Sequence, residues 1–182
     1  MIYFTSDLHF GHRSAIKLSL RPFADEEEMT ATLIANYNSL VLSTDTVYLL
    51  GDITYRIDAK EANALISRLH GRKILVLGNH DKSYEPALFE EICDFKTIKY
   101  NTHSISLMHY PMLEWPKSRH GSIHLHGHIH SAEGKAYDFG GVAGQYYNQD
   151  NISHGVLRYD VGVDAHHYFP VSIEQILAFM GL

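Results

Sequence analysis

Three short, unbroken apolar runs mark the first half of the chain, at residues 2–5, 47–50 and 74–77. Runs of this length without polar alternation are the pattern of strands buried on both faces. Between the first two, Met29, Leu33, Ile34, Tyr37, Leu40 and Val41 recur with a 3.6-residue period and predict a helix opening near Pro22 to Asp25. Glu26, Glu27 and Glu28 fall in its first turn, where acidic side chains complement the helix dipole. A second helix is predicted from about Asp58 to His70, with Ala62, Leu65, Ile66 and Leu69 inward and Gly71 as its stop. Strand, helix, strand, helix, strand reads as a parallel α/β layer.

After Asp94 the texture changes. Residues 95–100 and 104–108 flank Asn101-Thr102 and predict a hairpin, and 122–126 and 156–163 predict further strands. Ser172-Ile173-Glu174-Gln175 is a capping box opening a last helix with Ile176, Leu177 and Met180 inward. Residues 131–155, rich in Gly, Tyr, Asn and Asp, are expected to form a long ordered loop. Within it Tyr137, Tyr146, Tyr147 and His154 are candidates either to stack on a base or sugar or to fill the loop. No repeat, low-complexity tract or linker interrupts the chain, so one domain over 1–182 is expected.

Composition narrows the class. With 182 residues, 45% apolar and 20% charged, the chain falls in the ordinary globular range and can bury a core. No apolar run approaches the roughly 18 residues that span a bilayer, and the first residues carry no basic region of a secretory signal. Cys93 stands alone, which suits a reducing, cytoplasmic setting, and its neighbours Phe89, Ile92 and Phe95 mark it as a structural thiol. The net charge of −6 comes with no basic stripe, which argues against long duplex nucleic acid and leaves small phosphates open. No membrane and no obligate protein partner are indicated. The outlier is histidine, at 14 residues with no consecutive run of the kind a tag would show.

The polar residues collect at strand ends. Asp7-Leu8-His9 follows the first run, and residues i and i+2 of an extended segment face one side. Gly51-Asp52 follows the second run and Gly78-Asn79-His80-Asp81 the third. His109 follows the strand ending at Met108, and Gly127-His128-Ile129-His130 follows the one ending at His126. Each string alone is weak. Together they deliver Asp, His and Asn to the carboxyl edge of a sheet, where open α/β folds form their ligand crevice.

In this order the strings resemble the signature of the calcineurin-like metallophosphoesterases, from Asp7 to His130. Val161-Gly162-Val163-Asp164 with Pro170-Val171-Ser172 resembles the tail of small bacterial and phage-type members. The resemblance implies an α/β four-layer sandwich, two mixed β-sheets flanked by helices. It implies one metal on Asp7, His9, Asp52 and His130, and a second on Asp52, Asn79, His109 and His128, with Asp52 bridging. His80 would stand beside the pair as general acid, and a phosphate mono- or diester would be hydrolysed by a metal-bridging hydroxide. The alternative is a catalytically silent metal-binding scaffold of the same fold. Apart from the resemblance, mixed imidazole and carboxylate donors suit Mn²⁺, Fe²⁺ or Zn²⁺ better than Ca²⁺ and accept all three; Mn²⁺ is the expected cofactor. The expected substrate is a small phosphate ester, nucleotides among the candidates.

Other residues carry further expectations. His12, Arg13 and Arg21 surround the first string and are candidates to bind substrate phosphate, with Lys82 beside the third. Many relatives carry an acidic residue three positions after the bridging aspartate, where it orients the catalytic histidine; here Tyr55 holds that position and Asp81 is the substitute at hand. His124 reads as structural, and His126 as core or as support for a ligand. With His128 and His130 they form a ladder that would suit a zinc hydrolase of another fold, but the aspartate its signature needs is missing. Trp115 is expected to wall the pocket or anchor the core, and His166 and His167 to lie at the surface.

Overall fold

The computed structural model describes residues 1–82, 84–131 and 144–182, with the side chains of the last stretch from 147 onward. Strands β1 (Ile2–Thr5), β2 (Thr46–Leu49), β3 (Arg72–Val76) and β4 (Glu91–Cys93) pair in parallel. A second sheet joins β5 (Lys96–Tyr100), β6 (His103–Leu107), β7 (Ile123–His126) and β8 (Arg158–Asp160) in that order, antiparallel at its first pair and parallel thereafter. Strand β9 (Val171–Ser172) returns antiparallel to β1, so the first sheet runs β4-β3-β2-β1-β9. Both sheets are mixed.

Period-2 alternation sorts the side chains between two cores. Tyr3, Val47, Leu49 and Leu75 face helices α2 (Glu26–Leu40) and α3 (Ala59–Ser67), packing on Met29, Leu33, Tyr37 and Ile66. Phe4, Tyr48, Leu50, Ile74 and Val76 point the other way and meet Ile105, Leu107, Ile123 and Leu125 of the second sheet. The two long helices start where a carboxylate is available. Asp25 accepts from Glu28 N and Asp58 from Glu61 N, each satisfying one of the free amides of a first turn. The terminal helix α5 (Ile173–Met180) has both halves of its capping box, Ser172 with Gln175.

Four expectations are corrected. A six-residue helix α1 (Arg13–Leu18) follows the first polar string; it has no side-chain cap and no long apolar period to announce it. The strand expected over 156–163 shortens to β8, because Gly162 and the following 3₁₀ turn carry the chain away. Part of the expected loop is helix α4 (Gly144–Ser153). Its polarity is used: Asn148 Nδ2 donates to Asp160 O while its Oδ1 accepts from Asp160 N, pairing the edge strand β8 as a neighbouring strand would. His166 is not a free surface histidine; its Nε2 donates to Asp160 O at 2.8 Å. Tyr137 and the side chain of Tyr146 lie outside the described residues. Cys93 is half-buried on β4 with its thiol toward Leu75 O, in keeping with a structural role. Among the described residues no helix is long and apolar enough to cross a membrane.

Candidate metal centre

The loops after β1 and β2 stay zipped beyond the strands, with Asp7 N donating to Gly51 O, His9 N to Asp52 O and Phe10 N to Ile53 O. The backbone is left-handed at Asp7 (φ 59°), His9 (54°) and Asp52 (56°) in these loops, and at His128 (71°) and His130 (47°) in the loop after β7. Non-glycine residues in such regions cost of order 1–3 kcal/mol each and persist only where the surroundings over-determine them. The glycines of the strings make the approach possible. A Cβ on Gly51 would stand 2.5 Å from His109 Nδ1 and 2.6 Å from Gly78 Cα. One on Gly127 would collide with the Ser6 hydroxyl and the Asp7 carboxylate.

Asp7, His9 and His130 form a first group of donors. His9 Nε2 and His130 Nε2 are 3.2 Å apart, and Asp7 Oδ1 is 3.9 Å and 3.8 Å from them. Asp7 Oδ2 accepts from His128 N, but the fully buried Oδ1 has no hydrogen-bond partner among the described residues. The partners of the other ring nitrogens set the tautomers. Asp164 Oδ2 lies 2.8 Å from His130 Nδ1, so that nitrogen carries the proton and Nε2 offers a lone pair. His9 Nδ1 lies 3.2 Å from Nδ1 of His12, whose pKa burial pushes down to about 4, so one of the two nitrogens donates and the other accepts.

Asp52, His109 and His128 form the second group. His109 Nδ1 donates to Leu50 O at 2.7 Å, which turns the Nε2 lone pair toward Asn79 Oδ1 at 3.0 Å and His128 Nδ1 at 3.2 Å. Asp52 Oδ2 sits between the groups, 3.5 Å from His109 Nε2 and 3.7 Å from His9 Nε2. Its Oδ1 accepts from His80 N. Burial raises the Asp52 carboxyl above its ordinary value despite the opposing pull of His109, and lowers the His128 imidazole. Imidazole nitrogens thus converge from both sides on one buried carboxylate. An Asp7 oxygen unpaired among the described residues and this donor set fit borderline divalent cations.

The supporting residues differ from expectation in three places. Arg21 does not reach for a substrate phosphate. Its side chain is fully buried, and Nε and Nη2 donate to Asp164 while Nη1 and Nη2 also reach Leu8 O, Asp7 O and the Met29 sulfur. Asp81 does not orient His80. It accepts from Asp52 N, Ile53 N, Gly78 N and Tyr84 OH and ties the second loop to the third. The ring of Tyr55 takes that place instead. It lies edge-on to His80 at 4.8 Å and 85°, and stacks on His12 at 3.7 Å and 20°. Arg13 is exposed at the start of α1, beside the half-buried His12.

Two buried histidines stay off the centre. His124 Nε2 accepts from Met112 N and its Nδ1 donates to Ser106 O. His126 Nδ1 donates to Gly127 O and its Nε2 accepts from Tyr147 OH. Desolvation holds both neutral, His124 at about 4. Trp115 is a core anchor, its indole N–H donating to Ser122 O beside the His124 ring. Sequence reasoning missed Asp164 as the partner of His130; its only local signal is the Val161-Gly162-Val163-Asp164 string.

A model of the calcineurin-like phosphoesterase family matches residues 1–167. An uncharacterized protein of Methanocaldococcus jannaschii is 36% identical over 177 residues, covering 97% of this chain and 89% of that protein. The gene 66 protein of Mycobacterium phage L5 is 32% identical over 161 residues, covering 71% of this chain and 77% of the phage protein. The crystal structure of a protein of unknown function from Aquifex aeolicus matches with a TM-score of 0.71 at 30% identity, covering 97% of each chain.

Proposed function

Because this chain belongs to the calcineurin-like phosphoesterase family, we propose that it is a dinuclear metal-dependent hydrolase of small phosphate esters. Asp7, His9, Asp52 and His130 would hold one divalent cation, and Asp52, Asn79, His109 and His128 the other, with Mn²⁺ the expected ion and Fe²⁺ or Zn²⁺ alternatives. The observation that carries this reading is the position of Asp52 Oδ2 between two donor groups while Asp7 Oδ1 lies buried without a hydrogen-bond donor among the described residues. When bound, two such cations supply Lewis acidity, an activated water and positive charge for the phosphoryl oxygens.

The chain's own residues do the rest. Asn79 and the imidazoles contribute no negative charge, so the site stays attractive to a phosphate anion. The His80 side chain is 37% exposed, and its Nε2 is 3.9 Å from Asp52 Oδ2, at the edge of the centre where a leaving group can depart. It is assigned as the proton donor to the leaving oxygen, a role typically contributing about 10²–10⁴-fold. His12 and Arg13 remain at the rim for the substrate. The lone cysteine suits a reducing, cytoplasmic setting.

The test is hydrolysis of p-nitrophenyl phosphate and bis-p-nitrophenyl phosphate by Mn²⁺-loaded protein, with Asp52→Asn alongside and the metal content of both measured. Metal-dependent turnover in the parent, lost together with both ions in Asp52→Asn, is expected. Two tightly bound ions with no turnover of either ester would favour the silent scaffold.

A further inference from the structure

A cavity of about 250 Å³ opens beside His80, lined by Thr54, Arg56, Ile57, Lys82 and Tyr84 among others. Sites that engulf a whole small molecule run to about 300–1,000 Å³, so this volume suits one substituent of a substrate. Its charge is one-sided. Arg56 and Lys82 are exposed, and among the described residues neither makes an ion pair, although the chain as a whole carries −6. No described aspartate or glutamate lines the cavity. Of the carboxylates that neighbour its lining residues in sequence, Asp81 accepts from three amides and Tyr84 OH and Asp58 from Glu61 N. Tyr84 OH is likewise engaged, with Thr54 Oγ1 at 2.9 Å and Asp81.

Arg56 is also held in place. Its backbone is left-handed at φ 52°, and its guanidinium lies 5.0 Å from the centre of the Tyr55 ring, whose edge abuts His80. One aromatic ring therefore lies against both the cation and the imidazole. We propose that this cavity seats a second phosphate carried on the leaving group, so that the preferred substrate is a phosphate ester whose departing alcohol is itself phosphorylated. The proposal rests on the reading of His80 as the leaving-group acid. In the reaction the phosphorus–oxygen bond to the alcohol breaks and water supplies the new oxygen on phosphorus. His80 gives its proton to the leaving oxygen and recovers one from that water. The products are inorganic phosphate and a phosphorylated alcohol.

Thymidine 3′,5′-bisphosphate and the two thymidine monophosphates differ only in that second phosphate. With Mn²⁺-loaded protein at low salt, kcat/KM for the bisphosphate should exceed that for either monophosphate, by about fivefold for each cation. The ratio should fall toward one in Arg56→Ala/Lys82→Ala and recover in part with Arg56→Lys. A ratio of one in the parent, or one unchanged in the double variant, overturns the proposal while leaving phosphoesterase activity intact. If no ester is hydrolysed, p-nitrophenyl phosphate included, the parent reading fails, and calorimetric binding decides the cavity. Tighter binding of the bisphosphate that the double variant loses supports it, and equal binding of bisphosphate and monophosphate refutes it.

Discussion

Nδ1 of His130 stands 2.8 Å from Oδ2 of Asp164, a carboxylate that Arg21 grips through Nε at 3.0 Å and Nη2 at 2.8 Å. Desolvation would raise the pKa of this buried carboxyl, but Arg21 and His130 outweigh it and hold Asp164 well below the usual carboxylate range. The same guanidinium donates to the carbonyls of Asp7 and Leu8, so one buried cation joins the Asp7 loop, through Asp164, to His130. A carboxylate behind an imidazole fixes its tautomer and raises its basicity as a ligand.

Asp164→Asn should therefore weaken Mn²⁺ binding by about 10–100-fold. Calorimetric titration of metal-free protein checks this; affinity equal to the parent's would detach Asp164 from the site. Arg21→Ala should lower stability by about 3–5 kcal/mol in denaturant unfolding, because it leaves the Asp164 charge buried without its partner.

Gly127→Ala tests the close approach of two loops. The added methyl would collide with Ser6 Oγ and Asp7 Oδ2, and crowding of this kind costs about 1–3 kcal/mol. Loss of metal at the Asp7 group should accompany the loss of stability. A variant that binds two ions at full affinity would mean that Ser6 and Asp7 have room to give way.

Tyr55 orients His80 by its ring, not by a charge. Tyr55→Phe should keep kcat near the parent value, whereas Tyr55→Ala should lower it by up to about tenfold, in line with the 0.5–1.5 kcal/mol of an aromatic pair. His80→Ala should lose about 10²–10⁴-fold and keep its metals. Equal rates for Tyr55→Ala and the parent would show that His80 is placed by its backbone bond to Asp52 alone.

Burial pushes His166 down to about 4, while the unfolded chain titrates near the ordinary value of 6.5. As pH falls below 6.5 the unfolded state takes up a proton that the native state refuses, so stability drops between about pH 6.5 and 4. His166→Gln keeps a donor for Asp160 O and removes that titration. From pH 7 to pH 5 it should lose up to about 2 kcal/mol less stability than the parent in denaturant unfolding. Asp160, raised to about 7 by burial and the Asp7 charge, acts with the opposite sign in both proteins: its contribution is full below about pH 4 and fades as pH rises through 7. A parallel pH profile would show His166 to be hydrated in the native state.

The strands and the strings that follow them were legible in the chain because both are local. An apolar run of four residues, a glycine and then Asp, Asn or His encode a buried strand and the turn that leaves it. That pattern by itself sets Asp7, His9, Asp52, Asn79, His109, His128 and His130 just beyond the ends of strands. What each remaining polar group is free to do was not legible, because it depends on which partner consumes its hydrogen-bonding capacity. Arg21 reads as a cation for phosphate until Asp164, 143 residues away, takes up its fork. Asp81 reads as a neighbour for His80 until three amides and Tyr84 claim it. His166 reads as surface until Asp160 O meets it, and the polar stretch of α4 reads as loop until Asn148 pairs the edge of β8. Periodicity and turn chemistry act over a few residues and so reside in the sequence, whereas satisfaction of buried polar groups is settled only when distant segments pack.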